Sequence, residues 1–318
     1  METLTYSIVI PVYKNAQSIE RLLSTLNSIN VALKDELEVV FVVDGSPDQS
    51  FELLKERLDS LPFFAQLLGH SRNFGSFAAI RSGLLAARGT YFAVMAADLQ
   101  EPPDLLITFF NELRLDHCDV VIGTRASRND PYFSRIPSQL FWKLYQLMVV
   151  RDMPSGGVDI FGCNRIFRDH LLTLEESRSS LVALVFWLGF RRKCIDYERL
   201  ERLEGKSSWT FSKKIDYMLD SIFAFTDYPI RLLMRFGIIG SILSIIIGTV
   251  VLICKIAGLI AVPGYAATML IVLFFGALNL VGLGLVGNYA WRGYENSKKR
   301  PLAIVAVRYK NEDKSHEK

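Results

Sequence analysis

Two uncharged runs near the carboxyl end limit most strongly what this chain can fold into. Residues 236–254 contain no charged side chain, residues 256–291 contain none either, and Lys255 alone separates the two runs. About 20 apolar residues in a helix span the hydrocarbon core of a bilayer, and Pro263-Gly264 marks a turn. The sequence therefore predicts a two-helix transmembrane hairpin over residues 231–292. A buried helix pair in a soluble protein is the alternative.

Basic residues flank this predicted hairpin on both sides. Arg231 and Arg235 precede the first run, and Arg292 begins the basic stretch after the second run. Because positive charges favour the cytoplasmic side of a membrane, we expect both ends of the hairpin to lie in the cytoplasm. The apolar stretch at residues 8–12 is too short for a secretory signal and no basic region precedes it. We therefore expect residues 1–210 to face the cytoplasm.

The carboxyl-terminal tail, residues 293–318, is predicted to be cytoplasmic and basic. From Arg292 onward the chain has eight Lys or Arg residues and four Asp or Glu residues, within a net charge of +3 for the whole chain. This balance suits an anionic membrane surface. We do not expect a nucleic-acid partner, because basic and aromatic residues are not interleaved in a patch.

An amphipathic helix is predicted over residues 211–230. Its apolar stripe consists of Phe211, Ile215, Met218, Leu219, Ile222 and Phe223. Such stripes usually face a protein core, but this one ends at Tyr228-Pro229, directly before a predicted membrane span. We therefore favour a helix that lies in the membrane interface, and a core-facing helix remains the alternative.

The amino-terminal part alternates predicted strands with predicted helices. Apolar strand-like runs cover residues 7–12, 37–43, 65–68 and 119–123, and a further run from Tyr91 ends at Asp98. Helical spacing of apolar residues occurs between them. Strands that alternate with helices of this length indicate an α/β fold with a parallel sheet.

Polar residues follow the apolar run that begins at Tyr91. Asp98 and Gln100 come directly after it, and Pro102-Pro103 closes the segment. Ligands of open α/β sheets bind beyond the carboxyl ends of the strands, and oxygen ligands suit a hard cation such as Mg or Mn. The segment therefore predicts a metal site, although Asp and Pro are also common where an ordinary strand leads into a loop.

Several short motifs occur together in a specific order. They are Pro11-Val12-Tyr13, Asp44-Gly45-Ser46-Pro47-Asp48, Ser71-Arg72-Asn73-Phe74-Gly75, Asp98-Leu99-Gln100 before two prolines, and the carboxyl-terminal hairpin. Over essentially its whole length the chain resembles the family 2 glycosyltransferases of the polyprenyl-phosphate branch. This branch includes dolichyl-phosphate mannose synthases and bacterial polyprenyl-phosphate glucosyltransferases. The resemblance implies a glycosyltransferase A-type nucleotide-sugar-binding domain over residues 1–210, followed by the interface helix, the hairpin and the tail.

The resemblance also implies roles for individual residues. The residues expected at the nucleotide pocket are Pro11, Tyr13, Asp44, Arg72 and Asn73, and the expected ligands of a divalent metal (Mg or Mn) are Asp98 and Gln100. The residues expected on the acceptor side are Arg125, which faces the acceptor phosphate, and Asp159, which positions the acceptor. The residues of the motif expected to close over the pyrophosphate are Arg202, Lys206 and Ser208. Asp98, Arg125, Asp159 and Arg202 are the expected catalytic residues. Asp44 also suits an ordinary turn, and both arginines also suit solvated surface charges.

The implied activity is the inverting transfer of a sugar from a nucleotide diphosphate sugar to a polyprenyl phosphate such as undecaprenyl phosphate. The implied location is the cytoplasmic face of the bacterial inner membrane, in a multi-pass protein that serves a cell-envelope glycan and that could form homo-oligomers. Two alternatives stay open: a membrane-tethered transferase that acts on a glycan hydroxyl, and a non-catalytic scaffold. Three positions depart from the family pattern, namely Lys14-Asn15, Val43 and Ala96. Ala96 replaces the first acid of the metal motif.

Overall fold

The computed structural model describes residues 4–125, 146, 154, 158–176, 179–200, 211–257 and 264–311 of the chain. The strands are β1 (Tyr6–Val12), β2 (Leu37–Val43), β3 (Phe64–His70), β4 (Tyr91–Val94), β5 (Val120–Arg125), β6 (Val158–Asn164), β7 (Arg192–Tyr197) and β8 (Val305–Lys310). The helices are α1 (Ile19–Ala32), α2 (Ser50–Arg57), α3 (Ser76–Ala86), α4 (Pro103–Arg114), α5 (Arg165–Thr173), α6 (Leu181–Trp187), α7 (Phe211–Phe225), α8 (Tyr228–Ile256) and α9 (Tyr265–Ser297).

These strands form one mixed sheet in the order β7-β5-β6-β4-β1-β2-β3-β8. β1 pairs in parallel with β2 and β4, β2 pairs in parallel with β3, and β5 pairs in parallel with β7. β6 runs antiparallel to β4 and β5, and β8 runs antiparallel to β3. The α/β class is confirmed, but the expectation of a parallel sheet needs correction. The strands that depart from it are β6 and β8.

The four strands predicted at residues 7–12, 37–43, 65–68 and 119–123 are confirmed, with small shifts of their ends. β4 differs more, because it ends at Val94 and not at Asp98. The Met95 N–H still donates to the Val9 carbonyl at 3.0 Å. The chain then turns at Leu99, whose φ of 55° is the left-handed conformation. Asp98 consequently lies in a loop beyond the strand.

Helices cover both faces of the sheet, so that its central strands are apolar on both sides. Ile8 of β1 lies in the core cluster shared with α1 and α4, and Val9 lies in the cluster shared with α3, α5 and α6. α3 approaches the sheet very closely. A Cβ at Gly83 would lie 2.3 Å from Val9 Cγ1, so only glycine fits there.

The helices α8 and α9 lie where the sequence predicts the hairpin. By length and composition both could cross a membrane. The candidate spans are Tyr228–Val251, which is 0% buried, and Phe274–Ser297, which is 6% buried. They run antiparallel: a Cβ at Gly282 would lie 3.6 Å from Leu233, and a Cβ at Gly240 would lie 3.8 Å from Phe275. The large apolar side chains that the structure describes in these two helices therefore lie mostly on the outside of the protein.

The chain returns to the sheet after α9. Residues 305–310, which the sequence placed in the basic tail, form the edge strand β8 beside β3. The buried side chain of Asn311 holds this strand in place through three hydrogen bonds. Its Oδ1 accepts from the Ala65 N–H at 2.8 Å, and its Nδ2 donates to the carbonyls of Leu58 and Phe63 at 3.2 and 2.9 Å. The carboxyl end of the α8–α9 pair is thus attached to the sheet.

A buried carboxylate joins three strands and a loop near the amino ends of β1 and β2. Glu38 is fully buried and accepts hydrogen bonds from Ser7 Oγ (2.5 Å), Gln66 Nε2 (2.9 Å) and both the backbone N–H and Nε of Arg88 (2.7 and 3.2 Å). Buried charges are tolerated only when they are paired and hydrogen-bonded. Glu38 meets this condition with side chains far apart in the sequence.

We expect Glu38→Ala to lower the free energy of unfolding by about 3–5 kcal/mol, because it leaves several buried donors and the Arg88 charge without their acceptor. Glu56→Ala, on the exposed side of α2, is the matched control and should change stability by no more than about 0.5 kcal/mol. Urea unfolding of the solubilised protein measures both. Equal losses in the two variants would contradict the structural role of Glu38.

Candidate active site at the carboxyl edge of the sheet

The carboxyl ends of the parallel strands meet at one edge of the sheet. Tyr13 follows β1, Asp44 follows β2, and Arg125 ends β5. The other predicted site residues of this edge are Pro11 in β1, Arg72 and Asn73 after β3, and Asp98 and Gln100 after β4. Ligands of open α/β sheets bind at such an edge, and the structure brings these residues together there.

Asp44 holds the loop that carries Arg72 and Asn73. Its buried carboxylate accepts hydrogen bonds from His70 Nδ1 (2.8 Å), from the Phe74 N–H (2.8 Å) and from the Gly75 N–H (2.7 Å). Backbone N–H groups that point at a carboxylate are strong partners. Asp44 therefore shapes this edge by fixing a loop.

A glycine allows the same loop to come close. Gly45 has a φ of 57°, and a Cβ there would lie 2.4 Å from the Arg72 carbonyl carbon and 2.5 Å from the Asn73 nitrogen. Arg72 and Asn73 are exposed, and the Arg72 guanidinium lies 4.1 Å from the centre of the Phe74 ring. The loop thus presents a cation and an amide to solvent on a rigid base.

The turn after β1 is fixed to the loop after β2. The Lys14 N–H donates to Ser46 Oγ at 2.8 Å, and the Ala16 N–H donates to Asp48 Oδ2 at 3.1 Å. Burial tends to raise the pKa of Asp48, but hydrogen bonds from Ser46, Ser50 and Ala16 outweigh it and hold the pKa below its ordinary value. Asp48 is therefore ionised at neutral pH. The Tyr13 ring, 37% exposed, stands beside this turn.

Gln100 makes contacts that the sequence does not reveal. It is buried, its Oε1 accepts from Arg199 Nη2, and its Nε2 donates to the Leu200 carbonyl at 3.3 Å. The Leu200 N–H in turn donates to the Gln100 carbonyl at 2.9 Å. The loop after β4 is thereby joined to the segment after β7.

The loop after β4 offers few oxygen ligands to a metal. Ala96 offers none, and the Gln100 side-chain oxygen is engaged by Arg199. In the described part of the chain, no three His, Cys, Asp or Glu side chains cluster as metal ligands. The carboxylates of this loop are Asp98 and the buried Glu101. Mg²⁺ can bind through one carboxylate together with substrate phosphates and water.

Arg125 ends β5 opposite Tyr197 of β7. The preceding residue, Thr124, donates a short hydrogen bond to Asp196. Across from it, β6 has an extra residue at Asp159, because Gly123 pairs with Ile160 and Thr124 pairs with Val158. Such β-bulges are common beside active sites. The backbone of Asp159 therefore lies at the same edge as Arg125.

Arg202, Lys206 and Ser208 lie outside the described residues. Two other residues were missed by the sequence reasoning, namely His70, which contacts Asp44 and Ser82, and Arg199. Arg199 stands three positions before Arg202 in a charged run, which was the available signal. The sequence contains no comparable signal for His70, because its partner Asp44 is 26 residues away.

Comparison with known proteins identifies the family of this chain. The model of glycosyl transferase family 2 matches residues 7–173, which extend from β1 to the end of α5. An uncharacterized glycosyltransferase of Synechocystis is 31% identical, over 96% of this chain and 95% of that protein. A prophage bactoprenol glucosyl transferase homolog of Escherichia coli K12 is 26% identical, over 94% of this chain and 97% of that protein.

A solved mannosyltransferase of Pyrobaculum calidifontis, in complex with GDP-mannose and Mn²⁺, is 18% identical and has a TM-score of 0.47, over 69% of this chain and 63% of that chain. The match to the family model covers more than half of the chain and includes every motif loop from β1 to β6. The resemblance inferred from the motifs is therefore confirmed. The chain belongs to glycosyl transferase family 2, and the protein is a glycosyltransferase.

Proposed function

We propose that this glycosyltransferase transfers a sugar, with inversion, from a nucleotide diphosphate sugar to a polyprenyl phosphate at the cytoplasmic face of the bacterial inner membrane. One observation carries the choice of a lipid acceptor. The two apolar helices are attached to the same edge of the sheet that carries the candidate site. Relatives named bactoprenol glucosyl transferases, 26 to 27% identical over nearly the whole chain, support the same acceptor.

The attachment consists of the short link between α9 and β8. The Ser71 N–H donates to the Ile304 carbonyl at 3.0 Å, seven residues after α9 ends at Ser297. Ser71 begins the loop that carries Arg72 and that Asp44 holds. The end of α9 is therefore close in sequence to a loop of the site. This placement supports an acceptor that arrives from a membrane.

The amino end of α8 and the carboxyl end of α9 have the composition of a membrane interface. Trp291 and Tyr294 of α9 are 49% and 56% exposed, and Lys298, Lys299 and Arg300 follow them. Aromatic rings and basic residues favour the headgroup region of a bilayer. α7 is fixed at the same level, because Arg292 pairs with Asp220 and Tyr289 OH donates to the Thr226 carbonyl at 3.2 Å. These features support the cytoplasmic orientation.

The proposed acceptor needs little activation. A phosphate monoester has a second pKa near ~6 and is largely dianionic at neutral pH. Its oxygen attacks the anomeric carbon, the bond from that carbon to the diphosphate oxygen breaks, and the electron pair leaves with the nucleotide diphosphate. We assign Arg125 to the acceptor phosphate and Asp159 to its positioning, because both lie at the β5–β6 end of the edge. The acceptor phosphate and the donor diphosphate repel each other, and a cation such as Arg125 lowers the activation barrier by reducing this repulsion.

The donor is assigned to the loops after β1, β2 and β3. Pro11, Tyr13 and the loop held by Asp44 are proposed to enclose the nucleotide, and Arg72 and Asn73 are proposed to line its rim. Arg202, Lys206 and Ser208 are proposed to contact the pyrophosphate. Asp98 would hold a divalent cation, Mg²⁺ or Mn²⁺, which supplies positive charge to the diphosphate.

The test is transfer by purified protein in lipid vesicles. Vesicles with undecaprenyl phosphate are incubated with a panel of labelled nucleotide sugars, and label is followed into the lipid phase. We expect one donor to give a sugar phosphate lipid of inverted configuration. Transfer to a glycan without lipid phosphate would establish the glycan-hydroxyl alternative. Donor binding without any transfer would establish the scaffold.

Replacing the proposed acceptor arginine should separate the two substrates. We expect Arg125→Ala to weaken the apparent affinity for the lipid phosphate by roughly 10–100-fold and to change donor binding little. The reason is that one charge-assisted contact is worth about 1.5–3 kcal/mol. Kinetics at varied lipid and varied donor concentrations measure both. Arg114→Ala, exposed at the end of α4, is the control. An unchanged lipid affinity would remove Arg125 from the acceptor site.

The orientation of the helix pair can be measured with introduced cysteines. In a background without Cys194 and Cys254, the two cysteines that are not buried, we expect Gly264→Cys to react with an impermeant thiol reagent from outside intact cells. Lys310→Cys, on the exposed strand β8, should react only after permeabilisation. Labelling of both from the same side would refute the hairpin.

The metal assignment predicts opposite effects for two neighbouring positions. We expect Asp98→Asn to abolish turnover because it removes the carboxylate. Ala96→Asp should lower the metal concentration needed for half-maximal turnover, since it adds a ligand. Turnover is measured against Mg²⁺ and Mn²⁺ concentration, with the exposed Asp104→Asn as the control. Full activity of the parent in excess chelator would overturn the metal requirement.

A further inference from the structure

In the described part of the chain, the positively charged side chain of Arg199 contacts a neutral amide, that of Gln100. Its Nη2 donates to Gln100 Oε1, and its Nε is buried without a hydrogen-bond partner among the described residues. Among the described residues no carboxylate forms an ion pair with it. Arg199 as a whole is partly exposed, so its guanidinium can also be reached by a ligand from solution. The arrangement is therefore suited to an anionic ligand.

Gln100 is committed to holding this cation. Its side-chain oxygen accepts from Arg199, its side-chain nitrogen donates to the Leu200 carbonyl, and its own carbonyl accepts from the Leu200 N–H. A metal ion on the same side-chain oxygen would place two positive charges side by side, and these repel each other. Gln100 thus suits a role as the support of Arg199 better than a role as a metal ligand.

The position of Arg199 indicates which anion it meets. Tyr197 at the end of β7 pairs with Arg125, whereas Leu200, three residues later, bonds to Gln100 after β4. In the sheet order β5 and β6 separate β7 from β4, so the chain crosses the carboxyl end of β5 and the amino end of the antiparallel strand β6. Arg199 therefore lies between the proposed acceptor side at Arg125 and the proposed nucleotide loops. The bond that breaks in the proposed reaction would lie between the same two regions.

We propose that Arg199 binds the diphosphate of the nucleotide sugar and that Gln100 is the positioning residue that orients it. This inference rests on the proposed function for the identity of the anion. A guanidinium contacts phosphate oxygens through two parallel N–H groups. When the bond to the anomeric carbon breaks, the electron pair and the added negative charge move to the diphosphate oxygen, and Arg199 stabilises that charge without a proton transfer. Arg199 thereby adds positive charge beside a loop in which Ala96 offers no oxygen ligand to a metal ion.

The experiment measures the binding of inorganic pyrophosphate to the solubilised full-length protein by calorimetry, with excess chelator so that no metal contributes. We expect the parent to bind pyrophosphate and Arg199→Gln to bind it roughly ten-fold or more weakly. Arg199→Lys, which keeps the charge and loses the planar fork, should fall between them. Arg114→Gln removes the same charge at the end of α4, near the opposite edge of the sheet, and should bind as the parent does.

A double-mutant cycle tests the positioning role. Gln100→Met keeps the length of the side chain and removes the acceptor for Arg199, so it should weaken pyrophosphate binding by a smaller factor than Arg199→Gln. In the Arg199→Gln background the same change should have no further effect, because its target is gone. A purely structural Gln100 would instead lower the unfolding temperature and leave pyrophosphate binding unchanged.

The outcomes separate this inference from the proposed function. Arg199→Gln with the pyrophosphate affinity of the parent would overturn it, and so would a Gln100→Met effect that persists in the Arg199→Gln background. A parent that binds no pyrophosphate at millimolar concentration would also overturn it. Because no lipid and no sugar is present, failure of the transfer reaction leaves these measurements intact. If Arg199→Gln does not fold, the pyrophosphate affinity of the parent is compared with that of Arg199→Lys and of Gln100→Met.

Discussion

The antiparallel pairing of β8 with β3 is the interaction on which the arrangement of the molecule depends. The chain leaves the α/β body before α8, runs through two apolar helices, and is tied back to the sheet by this pairing and by the buried amide of Asn311. β8 is held to β3 by a ladder of backbone hydrogen bonds whose register shifts between Gly69 and His70. The carboxyl end of the helix pair is thereby attached to the sheet. The site loop at Ser71 lies at the point of return.

Buried polar side chains shape the candidate site by holding loops. Asp44 fixes the loop after β3 through two backbone N–H groups and His70. Gln100 fixes the segment after β7 through Arg199 and Leu200. In both cases a residue that a motif marks as functional makes its strongest contacts to the protein itself. Pre-organised loops of this kind keep charges in place before substrate binds, which is how electrostatic stabilisation of a transition state acts.

Much of the fold was predictable because it depends on local patterns. Continuous apolar runs identify strands that are buried on both faces, and β1, β2, β3 and β5 follow this rule. The strands β6 and β8 were missed for different reasons. The segment around Asp159 in β6 was interpreted by its possible function and not as a strand, and the apolar residues 302–307, which lead into β8, were assigned to the basic tail. An edge strand is decided by its partner, which in this case lies more than 230 residues earlier.

The sequence by itself determined the family, the order of the motif loops and the two apolar helices, because each depends on residues that are close together in the chain. Only the tertiary structure decided which charges are available at the site. The partner of Asp44 is 26 residues away, and the partner of Gln100 is 99 residues away. Hydrogen bonds over such separations follow from the order of strands in the sheet. No local pattern of residue types encodes that order, and therefore the cation at Arg199 became visible only in the folded chain.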